Sequence, residues 1–143
     1  MLCKELQFGD WCCDLHGFPM QITNVGEDYA YATFEGNEGD PWEFDDKDDQ
    51  PEPIYITPYI LCKDNWKEHS YALPHELIEY YYTKDIGGNH LVWKRGILSI
   101  WFDYEKDNDG VYSDIVIPVE YVHQLQQVLR IAGMTDLANN FKV

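Results

Sequence analysis

The stretch Val119-Glu120-Tyr121-Val122-His123-Gln124-Leu125-Gln126-Gln127-Val128-Leu129-Arg130-Ile131-Ala132-Gly133 carries the clearest periodicity in the chain. Tyr121, Val122, Leu125, Val128, Leu129 and Ala132 recur at i, i+3, i+4 and i+7, the spacing that gathers side chains on one face of an α-helix. Gln124, Gln126, Gln127 and Arg130 fall mostly off that stripe. Arg130 lies near the carboxyl end, where positive charge meets the helix dipole favourably. Gly133 is suited to the left-handed residue that commonly closes a helix. The spacing predicts one helix over about 119–132. The residues before it read mainly as strands, so the fold class turns on this contrast.

Upstream, short β-rich runs alternate with turn residues. Phe8-Gly9-Asp10-Trp11-Cys12-Cys13 leads to a turn at His16-Gly17-Phe18-Pro19. Met20 to Val25 follows, with Met20, Ile22 and Asn24 on one face, then Gly26-Glu27-Asp28 and Tyr29 to Phe34. This is the pattern of a β-meander, and a Gly-Asp opening its first strand is common in small SH3-like barrels, an analogy that carries no function. Ile54-Tyr55-Ile56 returns to strand, and Thr57-Pro58 signals a short helix over about 58–63. Residues 74–78 read as a helical turn. Glu79 to Thr83, Leu91 to Lys94, Ile97 to Asp103 and Val111 to Ile117 read as strands, with turns at Gly87-Gly88-Asn89 and Lys106 to Gly110.

A length of 143 residues suits one domain able to bury its own core. Aromatic residues make up 15% of the chain, which excludes a disordered polymer. No apolar run is long enough to span a membrane or serve as a secretory leader. The four cysteines, Cys3, Cys12, Cys13 and Cys62, show no paired spacing and suit reduced thiols in a cytoplasmic setting. The net charge of −16 disfavours direct contact with nucleic acid or an anionic membrane and favours a basic partner.

That charge is uneven. Residues 35–53 hold nine acids against Lys47 alone, so this segment has net −8, half of the total. Its glycines and prolines make it a loop, interrupted by a short strand at Trp42-Glu43-Phe44. A solvated linker accounts for such a segment. So does a docking surface made of Glu38, Asp40, Trp42, Glu43, Asp45, Asp46, Asp48 and Asp49. Aromatics amid charge can anchor an interface or tether the loop to the core.

Other chemistries are weakly signalled. Glu105 to Gly110 has the opening of a calcium loop, but its twelfth position is Val116 where a bidentate Glu belongs. His16 follows Cys13 by three residues without the second pair a structural zinc site needs. His75-Glu76 does not continue to the zinc-protease pattern, and nucleophile-elbow and phosphate-loop motifs are absent. The sequence implies no cofactor. Tyr80, Tyr81, Tyr82, Trp93, Trp101 and Tyr104 could stack bases, but Lys94 and Arg95 make no basic groove, and cross-strand contacts account for the same residues.

Five segments occur in a familiar order: Phe8 to Trp11, Gly17 to Thr23, Ile56 to Leu61, Tyr80 to Tyr82 and Tyr121 to Arg130. In these the chain resembles the short uncharacterised proteins common in gut Bacteroidetes genomes, their phages and mobile elements. Tyr121-Val122-His123-Gln124-Leu125-Gln126 is the most specific part. The resemblance weakens at residues 35–53 and 64–79. It implies a bacterial or phage cytosolic setting and transfers no catalytic residue. His123-Gln124 reads either as a recognition feature or as a helix turn that seats on the sheet.

The expected fold is α+β: an N-terminal small SH3-like β-barrel or meander, then an antiparallel sheet with one main C-terminal helix on it. The chain is one domain, divisible at 57/58. The expected function is a non-enzymatic protein-binding module acting through the acidic segment. Two alternatives stand beside it. One is a charge-mimic inhibitor of a DNA-binding host protein. The other is a small enzyme or metal protein with a dispersed site.

Overall fold

A computed structural model describes residues 1–104 and 113–143. The calcium-loop candidate and the turn expected at 106–110 lie outside the described residues. The fold is α+β, with two antiparallel sheets and a main C-terminal helix. Contacts divide the chain into two compact units, Met1–Tyr55 with Tyr121–Val143, and Ile56–Glu120. The chain thus leaves the first unit after Tyr55 and returns to it at Tyr121 for the helix.

In the first unit β1 (Trp11–Cys13), β2 (Pro19–Val25), β3 (Tyr29–Thr33) and β4 (Trp42–Asp45) form one sheet in that order. Alternation drives its burial: Cys12, Met20, Ile22, Ala30, Ala32 and Phe44 are buried and cluster with Cys3 and Leu6. The register shifts between Ile22 and Asn24, so Asn24 leaves the buried face it was expected to share. The named strands make an open sheet. Pairing continues through isolated bridges, Asp45 with Asp49 and Cys13 with Glu52.

The main helix, α2, spans Val122–Ile131 and lies against β1. The sequence reading set it on the later antiparallel sheet. Hydrogen bonds between its glutamines and residues 5–11 fix it to the first unit instead. Tyr121 is the cap rather than part of the stripe, because Tyr55 bridges it in extended form and Val122 N–H donates to Ile54 O at 2.8 Å. Residues 54–56 therefore form this bridge and not the expected strand. Gly133, at φ 83°, closes the helix. Its N–H goes to Arg130 O at 3.1 Å and that of Met134 to Leu129 O at 2.8 Å, a Schellman end. A short helix, α3 (Thr135–Asn139), follows.

The second unit opens with α1 (Pro58–Lys63), capped as expected: the Thr57 hydroxyl accepts from Ile60 N–H at 3.2 Å. A five-stranded meander follows, β5 (Lys67–Ala72), β6 (Ile78–Ile86), β7 (Asn89–Lys94), β8 (Ile97–Trp101) and β9 (Ile115–Pro118). Two cross-strand rows build its apolar face, Tyr82–Trp93–Leu98–Ile117 and Leu91–Ile100–Ile115. β5 was not expected. It is an edge strand on which only His69 is partly shielded, so it shows no apolar alternation. The helical turn expected at 74–78 is a three-residue 3-10 turn, Pro74–Glu76.

Candidate functional site

The acidic segment is built into the first sheet. Phe44 is fully buried beneath β4, while Trp42 is 44% exposed. The two aromatics therefore divide the roles expected of them: Phe44 tethers, Trp42 faces outward. Several carboxylates serve local structure. Asp45 Oδ1 accepts from the backbone N–H of Lys47 at 3.0 Å and of Asp48 at 2.7 Å, closing the turn after β4. Asp46 Oδ1 accepts from Cys3 N–H at 2.7 Å, Asp49 Oδ2 from Trp42 Nε1 at 3.0 Å, and Glu38 Oε2 from Gly36 N–H at 3.0 Å. Asp40, Glu43 and Asp48 are exposed and make no side-chain bond among the described residues.

The polar side of α2 carries a network that its sequence did not disclose. Gln126 is fully buried. Its Oε1 accepts from Trp11 N–H at 2.8 Å, and its Nε2 donates to Gly9 O at 2.8 Å and Ala138 O at 2.9 Å. Asp10, also fully buried, pairs with Arg130 Nη1 and accepts from Gln127 Nε2 at 2.7 Å. Gly9 sits at φ 86°, and a Cβ there would lie 3.0 Å from Asn139 Oδ1 and 3.1 Å from Arg130 Nη2. The pieces Phe8 to Trp11 and Tyr121 to Arg130, far apart in sequence, are thus halves of one contact.

Beside the first turn of α2 lies a groove of about 440 Å³, lined by Glu5, Glu52, Tyr55, Tyr121, His123 and Gln124 among others. Tyr55 and Tyr121 pack at 4.9 Å between ring centroids, and Tyr121 stacks on His123 at 5.8 Å with ring planes 12° apart. His123 is 7% exposed, and its buried Nδ1 has no hydrogen-bond partner among the described residues. Burial holds this imidazole below its ordinary pKa of 6.5, against the opposing pull of Asp10 and Glu5.

In the second unit a groove of about 470 Å³ follows the turn between β6 and β7. His90 Nδ1 and Asp85 Oδ1 are 2.5 Å apart there, and the imidazole stacks on Tyr104 at 4.8 Å. Such a pair can orient a general base. The residues described around this groove include no Cys, Ser or Thr to act as its nucleophile. Among the described residues no three His, Cys, Asp or Glu side chains gather as metal ligands.

Among the described residues no cysteine thiol is hydrogen-bonded to a histidine, and the Cys3 thiol meets the Asp46 carboxylate. Burial pushes the Cys3 thiol up to about 12 and the Cys12 thiol higher still, and it raises Cys13 as well. Only Cys62 is exposed. Among the described residues no helix is long and apolar enough to cross a membrane. No family model matches the chain, and the searches of curated proteins and of solved structures found no match either.

Proposed function

We propose that this chain is a non-enzymatic protein-binding module whose β4 surface engages a basic partner. The observation that carries this reading is the sorting of carboxylates on that strand and the residues flanking it. Glu43 on the strand, and Asp40 and Asp48 just outside its two ends, are exposed and unengaged among the described residues; the strand carries the half-exposed Trp42 and is anchored by the buried Phe44. An aromatic amid unpaired charge on a fixed strand suits an interface. The strand edge adds to it. Asp45 directs its N–H away from β3 to Asp49 O, and Glu43, two residues earlier, faces the same edge.

The test is a titration of a blocked oligolysine peptide into the triple variant Asp40→Asn, Glu43→Gln, Asp48→Asn. A control removes equal charge elsewhere, at Glu27→Gln, Glu76→Gln and Asp136→Asn. The β4 variant is expected to lose about tenfold in affinity and the control about twofold or less. Equal losses in both would reduce the binding to general charge and sink the reading.

We read the first unit as a small barrel of the SH3-like kind. The bridges Asp45–Asp49 and Cys13–Glu52, which carry pairing from β4 back toward β1, support this. A cytoplasmic setting in a bacterium or phage-infected cell is consistent with four free cysteines. The charge-mimic alternative requires acids spread along an extended surface. Half the net charge lies in one short segment, which favours the module reading.

A further inference from the structure

We propose that the groove beside the first turn of α2 receives a guanidinium or primary ammonium group, the head of an arginine or lysine side chain presented by a partner polypeptide. This site is separate from the β4 surface and does not depend on it. Charge sign comes first: Glu5 and Glu52 line the groove, no Lys or Arg does, and the amino terminus of Met1 is the only opposing charge among its lining residues. The wall comes second. Tyr55, 62% exposed, continues into Tyr121 and His123 as a run of packed rings, a surface over which a flat or tetrahedral cation gains cation–π attraction. A carboxylate beside such a ring adds a charge-assisted hydrogen bond.

His123 supplies an independent indication. It lines the groove, is more than nine-tenths buried, and has a ring nitrogen with no partner among the described residues. That nitrogen is itself buried, within a residue that lines the groove; buried polar atoms are nearly always satisfied, so it leaves this wall with one hydrogen-bonding position unfilled. Burial disfavours the charged form of the His123 imidazole, which lessens repulsion of a cation. At about 440 Å³ the groove accommodates one such side chain with flanking backbone.

The experiment is a nuclear magnetic resonance titration of the intact chain, following the ring signals of Tyr55, Tyr121 and His123. The probes are N-acetyl-arginine amide, N-acetyl-lysine amide and, as the neutral shape control, N-acetyl-citrulline amide. Saturable shifts confined to these rings are expected with the first two, and binding about tenfold weaker with citrulline. The double variant Glu5→Gln, Glu52→Gln keeps acceptor oxygens at both positions and is expected to weaken arginine binding about tenfold while leaving the amide spectrum folded. The β4 triple variant is expected to bind the probe like the parent chain. Citrulline binding as well as arginine, no saturation, or an unaffected double variant would each overturn the proposal. So would binding of a free diamine such as putrescine with none of the blocked amino acids. Loss of the β4 interaction alone bears only on the previous reading.

Discussion

Gln126 does with one side chain what a strand or a water would otherwise do: it satisfies the Trp11 N–H and the Ala138 carbonyl inside the protein. Gln126→Leu keeps the volume and orphans the Trp11 N–H, while the Ala138 carbonyl keeps the Phe141 N–H as a donor. At about 1–3 kcal/mol for a buried unpaired donor, the loss is about 2 kcal/mol. A thermal melt is expected to shift down by roughly 7 °C in a chain of this size. A shift below about 2 °C would show that the contact contributes little. His123 gives a second prediction at this scale. Its pKa is lowered in the folded state, so the unfolded chain binds the extra proton more readily. The resulting contribution is intact above the ordinary value of 6.5 and is lost as pH falls below it. His123→Phe removes that titration and the orphaned nitrogen together. The melting temperature of the variant relative to the parent should therefore rise between pH 7 and pH 5, and a constant difference would refute the assignment. Neither residue announces its burial in the sequence. A glutamine off the apolar stripe looks solvent-facing until residues 5–11 are laid over it.

Elements were legible where their own ends or faces carry the signal. α1 has its bounds written in Thr57-Pro58, and α2 ends where Gly133 must turn left-handed. Gly133→Ala places a Cβ in that conformation and is expected to lower stability by about 1 kcal/mol, read by urea unfolding with an unchanged slope. A neutral result would mean that the Schellman end relaxes without cost. β5 shows the opposite situation. Lys67-Glu68-His69-Ser70-Tyr71-Ala72 has no alternation because neither face is covered, and six pairings with β6 hold it in place. Periodicity reports burial, so an exposed edge strand leaves no periodic trace. The start of α2 failed for a different reason. Tyr121 fits the apolar stripe by spacing, yet its backbone is claimed by a bridge to Tyr55, a contact spanning nearly half of the chain.

At the scale of the molecule, acidity and reduced thiols are properties of the whole chain, but their consequences are local. Cys3 and Cys12 are fully buried with raised thiol pKa values, Cys13 is half-buried, and Cys62 is exposed. A thiol reagent at about pH 8 is therefore expected to label Cys62 fast and Cys13 slowly, and to reach Cys3 and Cys12 only on unfolding. Fast labelling of Cys12, identified by peptide mass, would contradict the buried position of β1. The candidate surface divides in the same way. Composition marked residues 35–53 as acidic, but could not separate Asp45, Asp46 and Asp49, spent on turns and caps, from Asp40, Glu43 and Asp48, which face outward.

The sequence by itself determined the α+β class, the place of the main helix and its end, the meander of β-rich runs and the concentration of charge, because each is a local or compositional property. Tertiary structure alone decided that α2 joins the first unit, that its glutamines are buried, and that Glu5, Glu52, Tyr55 and His123 line one groove. These depend on contacts between residues about 50 to more than 100 positions apart. Their strength comes from hydrogen bonds formed out of water, which no run of neighbouring residues can encode.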